Sequence, residues 1–310
     1  MATRPIARRH HYLPQAYLAA FTVSGRKDGQ FCVLDVRDGR SFRTSPINVA
    51  NEKDFNRIDV DGQTPDAIEV ALAPFEAQAV DAIRRVIETE AFPTDDDWNW
   101  ILNLLGLIAV RNPAMRESFN SARAQVLNRV ADMLVSDRDI WEHHVASARQ
   151  AGEEIQETVT FEQVKQFVEA RKYEIDFLPE GNLRVEFDAF NKLLPILGQR
   201  TWSVLVASDG GPDFICCDHP VTLVSKRGGS GPLGYGLRDT EVFFPLGRRV
   251  GFYGVFEAPL KTVVVCQPGH VATMNKRLVE SAERHVYSAL PHFSLWHRGG
   301  VRGVDLHGVA

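Results

Sequence analysis

Arg8, Arg9, His10, His11 and Tyr12 stand together ahead of the first apolar segment, Leu13 to Phe21. Two guanidinium groups, two imidazoles and a phenol packed this closely mark an anion or metal site, or a solvated end. Neutral imidazole binds divalent metals and titrates near physiological pH, so His10 and His11 are candidate ligands and proton carriers. Adjacent histidines point in different directions on a strand, and about 100° apart on a helix. One of the pair therefore faces a site and the other orients a neighbour. The plain alternative is a capping or core histidine at a helix entrance.

Three further positions carry groups of the same kind. Glu69 and Glu76 fall on one face of a helix, roughly 10 Å apart at 1.5 Å per residue. That spacing predicts one carboxylate in a site and the other paired with an arginine elsewhere, or the edge of a solvated face. Arg111 ends a largely apolar segment that Asn112-Pro113 stops. A guanidinium there needs a carboxylate or an anionic ligand, because it stays charged. Asp218 sits at a predicted strand end before His219-Pro220, and proline holds the preceding residue extended. It is a candidate base or ligand, or an aspartate bonding the turn backbone.

The elements that must position these groups follow from periodicity. A short helix spans Leu13 to Phe21, and strands span Gln30 to Val36 and Arg40 to Thr44. Asp38-Gly39 between the strands predicts a tight hairpin. Thr64-Pro65-Asp66 starts a helix whose stripe runs through Ile68, Leu72, Phe75, Ala79, Ile83 and Val86. Pro93 to Asp97 breaks it and caps the next helix, Trp98 to Arg111, which is apolar on most faces and reads as buried. Further helices are predicted over Ala114–Leu134 and Asp139–Gln150, with a capped start at Thr160 to Gln163. Gly152 to Glu157 reads as a loop. From Thr201 the texture turns to strands: Thr201–Ala207, Phe214–Cys217, Val221–Val224, Glu241–Pro245, Val250–Phe256 and Thr262–Cys266. A mobile loop is expected at Gly228 to Gly236, a last helix at His270–Arg284, and a loose tail after Arg298.

Helices grouped first and strands later predict an α+β fold. In it an N-terminal hairpin and a helical block precede a mostly antiparallel sheet with a C-terminal helix. The expected organisation is a single large domain over 1–310. Its helical part is about 64–200, and its sheet-rich part about 201–297 plus 30–45. The chain has 310 residues, a net charge of -5 and 44% hydrophobic residues, so it is ordinary for a folded protein. That charge argues against general nucleic-acid affinity but permits a local basic pocket. The N-terminal arginines precede no apolar run, unlike a secretory signal, and Ile101 to Val110 is about half a membrane span. Cys32, Cys216, Cys217 and Cys266 lack CxxC spacing and read as buried, reduced thiols in a cytoplasmic protein with no membrane partner.

The segment HHYLPQAYLAAF is similar to the HHYxPxxYLxxF signature of a widespread bacterial family, domain of unknown function 4238. Three later segments resemble its pattern: Val49 to Phe55 followed by Glu69 and Glu76; Arg111-Asn112-Pro113 with Arg116; and Cys217-Asp218-His219-Pro220-Val221 followed by Phe244-Pro245-Leu246. The family often carries a small polar residue at Cys217 and Asn at His219. The resemblance implies a compact intracellular domain with a shared site, and no particular reaction.

Together these residues predict a hydrolase of a phosphate-containing substrate, a nucleotide or RNA, acting with a divalent metal. His10, His11, Glu69 and Asp218 form the catalytic set, and His10, His11 and Asp218 the metal ligands. Arg9, Tyr12, Arg111 and Asn112 hold the substrate. A toxin or defence role fits such an enzyme. The rival readings are a non-catalytic module binding a small anion or a partner, and a structural polar network that pins the first helix to the core.

Overall fold

The computed structural model of the protein describes residues 8–156, 158–228, 231, 233–257 and 262–306. Glu157 of the predicted acidic loop, and Gly229, Ser230 and Pro232 of the predicted glycine loop, lie outside the described residues. The chain enters through strand β1 (Arg9–His11) and the short helix α1 (Gln15–Ala19). Strands β2 (Phe31–Asp35) and β3 (Ser41–Thr44) form the expected hairpin, with Gly39 at φ 74° in its turn. After a 3-10 turn, β4 (Asn51–Lys53) pairs antiparallel with β1.

Helices follow: α2 (Ala67–Thr89), α3 (Asp95–Val110), α4 (Pro113–Leu134), α5 (Arg138–Gln150), α6 (Phe161–Ala170) and α7 (Pro179–Gly198). Their starts obey the local chemistry. Thr94 accepts from the Asp97 N–H at the head of α3, and Thr160 with Gln163 makes a reciprocal capping box on α6. The apolar helix α3 is buried from Ile101 to Val110 except at Asn103, and packs between α2 and α7.

The strand-rich part comprises β5 (Thr201–Ala207), β6 (Cys216–Cys217), β7 (Thr222–Ser225), β8 (Thr240–Pro245), β9 (Val250–Val255) and β10 (Thr262–Cys266). Helix α8 (Pro268–Ser281) and strands β11 (His285–Ser288), β12 (His292–His297) and β13 (Gly300–Asp305) complete it. A five-stranded sheet runs β10-β5-β9-β8-β7, antiparallel apart from the parallel pair β10–β5. The hairpin does not extend it: β3-β2-β11-β6 form a separate four-stranded sheet. The fold is α+β, as the grouping of helices and strands predicts.

Strand alternation splits the core in two. Trp202, Val204 and Val206 of β5, with Val242 and Phe244 of β8, face a cluster shared with α1, α2, α3 and α7. Leu205, Ala207 and Phe243 face the other side, against Val271 and Leu278 of α8. Tyr17 fixes α1 to this frame: its hydroxyl donates to the Pro245 carbonyl at 2.7 Å and its ring stacks on Phe244 at 5.3 Å. All four cysteines are buried and unpaired.

Two expectations are corrected. From Gly299 to Leu306 the tail is not loose, because β13 pairs with β12 along its length and Leu306, buried, accepts from Ser41; His307 to Ala310 lie outside the described residues. The last helix ends at Ser281, since Arg284 and His285 feed a strand held by β2 and β6. The described end of the glycine loop is anchored as well: Tyr235 packs on the core, and the buried Arg200 donates to its carbonyl at 2.5 Å. Among the described residues no helix is long and apolar enough to cross a membrane.

Gly254 lies against the Trp202 indole, where an added Cβ would come within 2.8 Å of the ring. That indole cannot retreat easily, because its N–H donates to the Leu197 carbonyl at 2.9 Å. Gly254→Ala is expected to lower stability by about 1–3 kcal/mol through overpacking. A thermal or urea midpoint equal to that of the parent would contradict this packing.

Candidate functional site

The site begins with the β1–β4 ribbon. His10 is the inward residue of β1, 1% exposed, and its Nδ1 accepts the backbone N–H of Asn56 at 2.8 Å. With Nδ1 accepting, the ring N–H lies on Nε2. Asn56 is itself fully buried and reaches two more motif groups. Its amide nitrogen donates to Glu69 Oε1, and its carbonyl oxygen accepts from Arg111 Nη2 at 2.5 Å. One asparagine thus joins β1, the first turn of α2 and the end of α3.

Glu186 on α7, 0% exposed, supplies the counter-charge. Arg116 on α4 grips it with two nitrogens, Nε at 2.6 Å and Nη2 at 3.1 Å, and also donates to the Phe55 carbonyl at 2.8 Å. Arg111 Nε lies 3.7 Å from the same carboxylate. Burial pushes the Arg111 guanidinium down from its ordinary value, while Glu186 and Glu76 pull it back. Glu186 gave no signal in the sequence, since nothing local distinguishes it from other acidic residues of an amphipathic helix.

Two cavities flank this network. The first, about 400 Å³, is lined by His11, Gln15, Lys27, Glu69, Glu76, Asp81 and Arg84, with small apolar residues between them. His11 Nε2 donates to the Ile47 carbonyl at 3.2 Å, which leaves Nδ1 as acceptor, 3.3 Å from Gln15 Nε2. Burial lowers the His11 pKa, opposed by the Ile47 carbonyl and Glu69, so the ring is neutral at pH 7. Burial first, and the neighbouring Glu69 second, raise the Glu76 pKa to about 7; Arg111 and Lys27 act against this. Contrary to the expectation from spacing, both glutamates face one cavity, because the arginines that would have drawn Glu76 away are bound to Glu186 and Asn56.

The second cavity, about 330 Å³, is lined by Arg9, Tyr12, Asn51, Glu52, Asn112, Asp218 and the Glu283-Arg284-His285 segment, among others. Both Asp218 oxygens are spent on the chain: Oδ1 accepts from Glu283 N at 2.9 Å, and Oδ2 from Arg284 N and His285 N at 2.8 Å. Burial raises the Asp218 pKa while these three donors hold it down. Tyr12 is pushed well up by burial, with Asp218 and Glu52 adding to it. Arg9 Nε donates to the Asn51 side-chain oxygen at 3.0 Å.

The predicted residues are therefore divided. His11 and Glu69 share the first cavity; Arg9, Tyr12, Asn112 and Asp218 share the second; His10 and Arg111 lie buried in the network. The proposed ligand set of His10, His11 and Asp218 does not fit a metal ion. His10 Nδ1 and both Asp218 oxygens already serve backbone N–H groups, and His11 faces the other cavity. Among the described residues no three His, Cys, Asp or Glu side chains gather as a metal requires. Arg111 lines neither of these cavities, because α3 ends inside the core. Asn112 is the N-cap of α4, accepting from Met115 N at 3.0 Å and donating to the Ile108 carbonyl at 3.1 Å, so its amide is used up.

A family model described as "Protein of unknown function (DUF4238)" matches residues 9–290. The chain belongs to the DUF4238 family. No curated protein and no solved structure matches it. The matched span contains the whole of the Asn56 network and both cavities. Sequence reading overlooked Asn56 and Glu186, and gave Glu76 a role away from the site. The one available clue was Phe55-Asn56 directly after the Val49 to Phe55 segment.

Two measurements test this geometry. Glu186→Gln removes the charge that the buried Arg111 and half-buried Arg116 guanidinium groups face, and is expected to cost about 3–5 kcal/mol in chemical denaturation. A loss under 1 kcal/mol would mean that the pair does not hold α4 to α7. Glu76 is protonated in both folded and unfolded states below about pH 4.5. Between there and about 7 the folded state binds the extra proton, so its stability falls as pH rises. Glu76→Gln should therefore match the parent at pH 5 and exceed it by about 1–3 kcal/mol at pH 8, read by thermal unfolding. Equal midpoints at both values would refute a raised Glu76.

Proposed function

We propose that this chain is a hydrolase working by acid–base chemistry on a phosphate-containing substrate, a nucleotide or RNA, in the cavity of His11, Glu69 and Glu76. The observation that carries the reading is two carboxylates of one helix facing a single cavity beside a neutral imidazole. Paired titratable groups whose surroundings separate their pKa values are the usual basis of acid and base roles. Glu76, held near neutral pH, is the proton donor. Glu69, fixed by the Asn56 amide, is the acceptor that activates water. His11 orients the substrate or relays a proton through Nδ1. Lys27 and Arg84 line this cavity; Arg84 is paired with Asp81, and Lys27 is the cation placed to hold the phosphate.

A second reading has its own support. His10, Arg111, Asn112 and Asp218 spend their polar atoms on the chain itself, as residues of a structural network do. On that reading the cavities seat a small anion or a partner without turning it over.

Hydrolysis of nucleotides and of single-stranded RNA by the purified chain decides between the two. The acid–base reading expects turnover that falls as pH rises through about 7, where Glu76 loses its proton. Glu76→Gln and Glu69→Gln should each reduce kcat by about 10²–10⁴-fold. Binding of a nucleotide without turnover at any pH from 5 to 9 would leave only the second reading.

A further inference from the structure

We propose that the bond hydrolysed in the Glu69–Glu76 cavity is the sugar–base C–N bond of a nucleotide rather than a phosphoester. This rests on the acid–base reading of that site and specifies its reaction. The sign of the charge around the cavity is the argument. A phosphoryl transition state gains negative charge on its oxygens and needs cations placed against it. The strongest cations nearby are committed elsewhere. Arg116 holds Glu186 in a two-nitrogen grip, and Arg111 is 3% exposed and bound to Asn56. Arg84 is tied to Asp81 at 2.8 Å, and Arg9 lines the other cavity. Besides that Arg84–Asp81 pair and the single cation Lys27, the cavity offers Glu69 and Glu76.

Departure of a base from a sugar has the opposite demand. The anomeric carbon and ring oxygen gain positive charge, which a nearby carboxylate stabilises. The leaving nitrogen needs a proton, and the attacking water must lose one. Glu69 and Glu76, two turns apart on the same helix and lining the same space, can divide these tasks. Water oxygen bonds to the anomeric carbon as the C–N bond breaks. The electron pair of that bond goes to the base nitrogen, which takes the proton of Glu76. The proton of the water goes to Glu69, and exchange with solvent resets both glutamates. The products are a free base and a sugar phosphate bearing the new hydroxyl. The remaining lining suits such a substrate: Pro14, Ala73 and Val80 give an apolar wall for a flat base, and the exposed Lys27 takes the phosphate. A volume of about 400 Å³ is in the range of small-molecule sites.

The test incubates the full chain with AMP, GMP, CMP and UMP and separates the products. Free base and ribose 5-phosphate in equal amounts, without inorganic phosphate, is the expected result. Glu76→Gln should slow base release by about 10²-fold or more, yet spare a 4-nitrophenyl riboside, whose leaving group needs no proton. A merely structural role for Glu76 would depress both substrates alike, and that outcome would overturn the assignment. Release of inorganic phosphate or nucleoside would overturn the choice of bond while leaving the acid–base hydrolase standing. Turnover of RNA alone, to phosphate-terminated fragments with no free base, would do the same.

Discussion

A carboxylate buried without water must be met by positive charge, and Glu186 is the carboxylate around which this protein is arranged. With no exposure of its own, it is stable only because Arg116 grips both its oxygens and Arg111 stands close by. That requirement draws α4, α7 and the end of α3 together. Arg111 donates through Nη2 to Asn56, and Asn56 passes the constraint to Glu69 and His10. A single desolvated charge thereby fixes the relative placement of elements from across the chain.

The same network decides what the first cavity contains. Arg111 and Arg116 are engaged behind the wall with Asn56 and Glu186, and the wall itself carries Glu69, Glu76, Lys27 and the Arg84–Asp81 pair. Two nearby carboxylates in a half-dry space cannot both stay charged cheaply, and the one with less help, Glu76, keeps its proton to about pH 7. Glu69 has the Asn56 amide and Glu76 does not, so a single hydrogen bond distinguishes the two carboxylates. The price is stability at alkaline pH, a common companion of working sites.

The second cavity shows the contrary case. Asp218 resembles a catalytic carboxylate by position, at a stiff strand end beside a cavity. Three backbone N–H groups occupy its oxygens, so it anchors the start of β11 instead. Asn112 is similar: its amide caps α4 and closes on the last turn of α3. Both are polar groups beside a cavity whose atoms already serve the backbone, which is the distinction between lining a space and acting in it.

Much of the fold was legible because its causes are local. The buried helix over Trp98 to Arg111 follows from an apolar run capped by Thr94, and the hairpin follows from Asp38-Gly39. The strands from Thr201 onward follow from β-branched residues between turn formers. The divergence of the His10 and His11 rings was legible as well, since neighbours on a strand face opposite ways. The pairing of β13 with β12 was not, because strand partners are chosen by long-range contacts. Nor was the role of Asn56 or Glu186: a buried polar group is recognisable only by what surrounds it. The sequence alone determined which ionisable groups this protein owns and which helix or strand carries each. Tertiary packing decided which of them lost water and which gained a counter-charge, because desolvation and Coulomb energy depend on neighbours in space rather than in the chain.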